Sequence, residues 1–102
     1  MNPDTLRVFI VDDEAPARAR MRALLADIAV ELPNECVGEA ANGIEALERL
    51  EASPADVALV DIRMPKMDGI ELARHLACAE QPPAVVFTTA YDQYAVQAFE
   101  LN

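Results

Sequence analysis

Runs of β-branched residues alternate with helix-patterned segments along this chain, and that alternation restricts what it can fold into. Leu6-Arg7-Val8-Phe9-Ile10-Val11 reads as a strand. Residues 15–30 read as a helix, with Ala17, Met21, Leu24, Leu25 and Ile28 on one face. Pro16 suits its first turn, where a missing N–H costs nothing. After the break at Leu32-Pro33-Asn34, Cys36-Val37-Gly38-Glu39-Ala40-Ala41 predicts a weaker strand, polar enough for a sheet edge. Asn42-Gly43 turns the chain into a second helix, with Ile44, Leu47 and Leu50 on one face, and Ser53-Pro54 ends it. Val57-Ala58-Leu59-Val60 predicts a strand buried on both faces. A third helix starts near Gly69 and turns Ile70, Ala73 and Leu76 inward. Pro82-Pro83 resets the chain before Ala84-Val85-Val86-Phe87, another buried strand, and residues 91–101 form a last helix.

The order β-α-β-α-β-α-β-α predicts an α/β fold: a doubly wound parallel sheet with helices on both faces and right-handed crossovers. With 102 residues, 53% of them hydrophobic, the chain suits one domain with a real core. Its net charge of −10 repels nucleic acids and anionic membranes and attracts metal cations and basic protein faces. No apolar run approaches the ~20 residues of a membrane span, and Met1-Asn2-Pro3-Asp4 has no signal-peptide pattern, so the expected location is cytoplasmic. Cys36 and Cys78 have no partner at metal-ligand spacing and read as reduced, buried thiols. Arg18, Arg20 and Arg22 lie off the apolar helix face and read as solvated charges, with a partner contact as the alternative.

In open sheets of this kind, ligands bind beyond the carboxyl ends of the strands. The first strand ends in Asp12-Asp13-Glu14, the third in Asp61 and the fourth in Thr88-Thr89. Taken singly, each has a bland reading: a helix cap, a dipole contact, a structural hydroxyl. Together they make a site. Carboxylates that close repel one another unless a cation sits among them, and all-oxygen ligands suit Mg²⁺ or Mn²⁺. A carboxylate beside such a cation can attack phosphorus and form an acyl phosphate, and Thr89 can donate to a phosphoryl oxygen.

Val11-Asp12-Asp13-Glu14, Leu59-Val60-Asp61-Ile62-Arg63-Met64-Pro65, Met67-Asp68-Gly69 and Thr88-Thr89-Ala90, in this order and spacing, resemble a response-regulator receiver domain of the CheY-like group. Residues 91–100 are similar to the fourth helix of receivers attached to LytTR-type DNA-binding domains, the alginate and autolysin regulator group. The resemblance implies a flavodoxin-like fold of strand order 2-1-3-4-5. It implies that Asp61 accepts a phosphoryl group from a sensor histidine kinase and thereby controls a DNA-binding output domain in transcription regulation. It further implies Asp13 and Asp61 as direct Mg²⁺ ligands, Asp12 as a ligand through water, the backbone carbonyl of Arg63 as a further ligand, and Thr89 as the switch hydroxyl. His75, in mid-helix, reads as an exposed structural histidine rather than a phosphodonor.

The family also carries a lysine at the end of a fifth strand, then a fifth helix. Neither has a counterpart here, and Lys66, the only lysine, lies in the loop after Met64-Pro65. Residues 1–102 are therefore expected to be a receiver domain incomplete at its C-terminus, with strand order 2-1-3-4 and no output domain. Mg²⁺ binding is expected to survive and phosphorylation to be impaired. Self-association through the fourth strand's edge or the last helix is also expected. A pseudo-receiver that binds partners without taking phosphate is the alternative. An Asp-nucleophile phosphohydrolase fits less well, because Arg63 stands where such enzymes place a second Asp. The chain is expected not to be an enzyme beyond self-catalysed phosphorylation and dephosphorylation.

Overall fold

A computed structural model describes residues 4–88. Its strands are β1 (Leu6–Val11), β2 (Asn34–Ala40), β3 (Val57–Val60) and β4 (Ala84–Phe87). The helices between them are α1 (Ala15–Asp27), α2 (Gly43–Ala52) and α3 (Gly69–Leu76). The expected last helix, residues 91–101, lies outside the described residues.

β1 pairs in parallel with both β2 and β3, and β3 with β4, so the sheet order is β2-β1-β3-β4. Every β-α-β connection between parallel strands crosses right-handed by default. The step from β1 to β2 runs one way along the sheet, while the steps from β2 to β3 and β3 to β4 run the other. α1 therefore covers one face, and α2 with α3 cover the opposite face.

Strand alternation divides the core between those faces. Phe9, Val11, Ala58 and Val60 are fully buried and cluster with Ala46, Leu50, Leu72 and Leu76 of α2 and α3. Val8 and Ile10, of the other parity, are equally buried but lie outside that cluster. Asn42 caps α2 by accepting from the Glu45 N–H (2.9 Å), and Asp68 caps α3 by accepting from the Glu71 N–H (2.8 Å).

Several local expectations shift. α1 ends at Asp27, and the residues beyond it form turns in which the Leu32 N–H still donates to the Ile28 carbonyl. Of its predicted face only Ala17 is buried; Leu24 is 51% and Ile28 41% exposed. On α2 the buried residues are Gly43, Ala46 and Leu50, with Ile44 exposed. On α3 they are Gly69, Leu72 and Leu76, so the inward stripe is rotated away from Ile70 and Ala73. β4 alternates between exposed and half-buried positions rather than being a buried strand. Cys36 and Cys78 are both exposed, because one lies on the edge strand β2 and the other beyond the end of α3.

Candidate metal and phosphoacceptor site

The parallel pairing brings the carboxyl ends of β1 and β3 side by side, with Val11 opposite Val60. The next residues in each strand are Asp12 and Asp61. The Asp61 N–H donates to the Val11 carbonyl (2.9 Å), which carries the ladder one step past the strand ends. On the other side of β1, the Asp12 N–H donates to the Ala40 carbonyl of β2 (3.1 Å). Both acidic positions are thus fixed by backbone hydrogen bonds to a neighbouring strand, Asp61 to β1 and Asp12 to β2.

One carboxylate oxygen from each of Asp12, Asp13 and Asp61 lies within 4.8 Å of the others. Asp12 and Asp61 are half-buried and Asp13 is exposed. The Asp12 carboxylate accepts from the Glu14 N–H (2.9 Å), and that of Asp61 from the Arg63 N–H (3.2 Å). Burial raises the Asp12 carboxyl above its ordinary value; the Glu14 N–H opposes this, and the charges of Asp61, Asp13 and Glu14 add to it. A half-buried group of negative oxygens fits a hard divalent cation, which would relieve that repulsion.

The loop after Asp61 is held tightly. The Gly69 N–H donates to the Ile62 carbonyl (2.8 Å), and a Cβ at Gly69 would run into the Asp61 carbonyl and lie 2.8 Å from the Ile62 Cα. Lys66 is exposed, with φ 72°, in the left-handed region that lysine seldom occupies. Ile62, Arg63, Met64 and Asp68 line an open cavity of about 400 Å³ beside this loop.

The structure therefore brings together Asp12, Asp13 and Asp61 and places Arg63 next to them. Thr89 lies outside the described residues. His75 is exposed on α3. Two residues near the site were not legible in the sequence. Arg18 Nη1 donates to the Asp12 carbonyl (2.7 Å), and its Nε lies 3.3 Å from Glu39 of β2. The available signal was Arg18's place in the first turns of α1, close to the end of β1. Among the described residues, no helix is long and apolar enough to cross a membrane.

A family described as response regulator receiver domain matches residues 8–102. The chain is 48% identical over 102 residues to an uncharacterized response regulatory protein of Vibrio cholerae, covering 100% of this chain and 38% of that protein. It is 42% identical over 99 residues to the positive alginate biosynthesis regulatory protein of Pseudomonas aeruginosa, covering 95% of this chain and 38% of that protein. The chain thus spans well under half the length of these relatives. Among solved structures, it superposes on the response regulatory domain of protein mrkE from Klebsiella pneumoniae with a TM-score of 0.81 and 33% identity. That match covers 94% of this chain and 76% of that one.

Proposed function

The chain belongs to the response regulator receiver domains of two-component systems, and from that premise we propose that Asp61 accepts a phosphoryl group from a sensor histidine kinase beside a divalent cation. The observation that carries this reading is the convergence of the Asp12, Asp13 and Asp61 carboxylates at the ends of two neighbouring strands. Asp13 and Asp61 would hold Mg²⁺ directly and Asp12 through water, with the Arg63 backbone carbonyl as a further ligand; Mn²⁺ would also fit. When bound, such a cation would supply neutralisation of the charge on the transferring phosphoryl oxygens.

The chain's own groups supply position. The Arg63 N–H holds one Asp61 oxygen and so orients the carboxylate. A carboxylate oxygen of Asp61 forms a bond to phosphorus while the phosphorus–nitrogen bond of a phosphohistidine breaks, and the imidazole nitrogen keeps the electron pair. Thr89 donates its hydroxyl to a phosphoryl oxygen and reports the modification as the switch residue. The domain is not an enzyme acting on a separate substrate, and it works in the cytoplasm. In a longer parent protein it controls a DNA-binding output domain of the LytTR type, while its net charge of −10 keeps the domain itself off nucleic acid and membranes.

The test is prolonged incubation with Mg²⁺ and excess acetyl phosphate, followed by intact mass and site mapping. One phosphoryl group on the parent, absent in Asp61→Asn, is expected. Modification that persists in Asp61→Asn, or none in the parent, overturns the assignment.

A further inference from the structure

The sequence places Arg18 among the solvated charges of α1, yet its side chain turns back to the end of β1. Asp12 lies one residue past Val11, the last β1 residue in register with β2 and β3. Its carbonyl has thus left the strand ladder, and the first α1 bond nearby, from the Arg18 N–H, goes to Glu14 instead. Arg18 Nη1 fills this gap by donating to the Asp12 carbonyl at 2.7 Å. Asp12 is then held at three points: its N–H by Ala40, its carboxylate by the Glu14 N–H, and its carbonyl by Arg18.

Arg18 is itself anchored. Its Nε lies 3.3 Å from Glu39 Oε1, and Arg22 Nη1 reaches both Glu39 carboxylate oxygens at 2.6 Å. Arg49 Nη1 donates to the Glu39 backbone carbonyl at 2.5 Å. Two successive residues of β2 therefore grip Asp12, Ala40 directly and Glu39 through Arg18. The atom that Arg18 holds belongs to the peptide joining Asp12 to Asp13. Rotating that peptide would swing Asp13, the exposed member of the acidic group, away from Asp12 and Asp61.

We propose that Arg18, braced by Glu39, is a positioning residue that sets the Asp12–Asp13 peptide plane and so aims both carboxylates at the divalent cation. This rests on the metal reading of the site given above. The sign of the effect separates it from bulk electrostatics. Removing a positive charge near an acidic site should tighten cation binding through Coulomb attraction alone. Loss of positioning should weaken it, as removal of outer partners of metal ligands generally does.

Mg²⁺ titration by calorimetry, checked with Mn²⁺ by electron paramagnetic resonance, tests the proposal on the 102-residue chain. Arg18→Met is expected to bind on the order of tenfold more weakly. Arg18→Lys, which keeps a donor, should recover most of that loss. Arg20→Met removes the same charge from an exposed site on the same helix and should bind as tightly as the parent, or slightly tighter. Without metal, amide exchange at Glu14, whose N–H donates to the Asp12 carboxylate, should quicken in Arg18→Met. Should Arg18→Met fail to fold, Arg18→Gln, polar but shorter and equally uncharged, provides the second variant, with the same direction of loss expected. Parent-like or tighter binding by Arg18→Met, or by a folded Arg18→Gln if that variant is used, overturns the positioning role. A parent chain that binds no Mg²⁺ overturns the metal reading itself, and with it this proposal.

Discussion

At Asp12 the fold places a half-buried carboxylate beside those of Asp13 and Asp61. Its raised pKa means that the folded state favours the protonated form. That contribution to stability is complete below the ordinary carboxylate value of about 4 and is lost as pH rises through the raised one. At neutral pH and without metal, ionised Asp12 therefore opposes folding. Asp12→Asn keeps an oxygen for the Glu14 N–H and removes the charge. In chelator it should be more stable than the parent by about 0.5–2 kcal/mol at neutral pH. A difference of 1 kcal/mol corresponds to about 4–8 °C in melting temperature for a domain of this size. The gap should close as pH falls toward 4, and Mg²⁺ should raise the melting temperature of the parent far more than that of the variant. Melting curves at several pH values, with and without Mg²⁺, decide it; a variant less stable than its parent in chelator at neutral pH contradicts the expectation.

Among the elements, α3 and β4 show what pattern reading reaches and where it stops. The alternation of strands and helices and the edge position of β2 were legible, because burial needs and turn residues mark them directly. The inward stripe of α3 was not, because Ile70, Leu72, Ala73 and Leu76 fit two neighbouring helical faces equally well. The close approach of Gly69 to Asp61 and Ile62 selects the face carrying Leu72. Gly69→Ala should therefore push α3 away from the acceptor loop, destabilise the fold by about 1–3 kcal/mol and slow phosphoryl uptake at Asp61. Thermal melting reads the first effect and mass spectrometry the second; an unchanged melting temperature would rule out the tight contact. For β4, an apolar run looks the same whether one face or both are covered. Val86 is 48% exposed, and β4 has no second neighbouring strand among the described residues. Such an edge invites pairing with another chain. Light scattering should show concentration-dependent association that Val86→Lys weakens; a monodisperse monomer at millimolar concentration counts against it.

For the whole molecule, the clustering of Asp12, Asp13 and Asp61 was readable from carboxylates at strand ends, while the contacts of Arg18 with the Asp12 carbonyl and Glu39 are tertiary ones that no spacing rule encodes. Lys66 is the single lysine, and it sits exposed in the loop between Asp61 and α3. Mg²⁺ binding and phosphoryl transfer should separate in consequence. The 102-residue chain is expected to bind Mg²⁺ while taking phosphoryl from acetyl phosphate slowly, and stoichiometric modification within minutes would refute this.

The sheet order also bears on how the chain comes off the ribosome. β1 emerges first, yet its partners on both sides, beginning at Asn34 and Val57, are made later. All its pairings span a helix, so loop-closure entropy must be met before any ladder forms. The nascent strand Val8-Phe9-Ile10-Val11 therefore stays exposed through much of synthesis, and it is the stretch a chaperone would be expected to shield. Pulsed hydrogen exchange on stalled nascent chains should show β1 amides unprotected until β3 has cleared the exit tunnel.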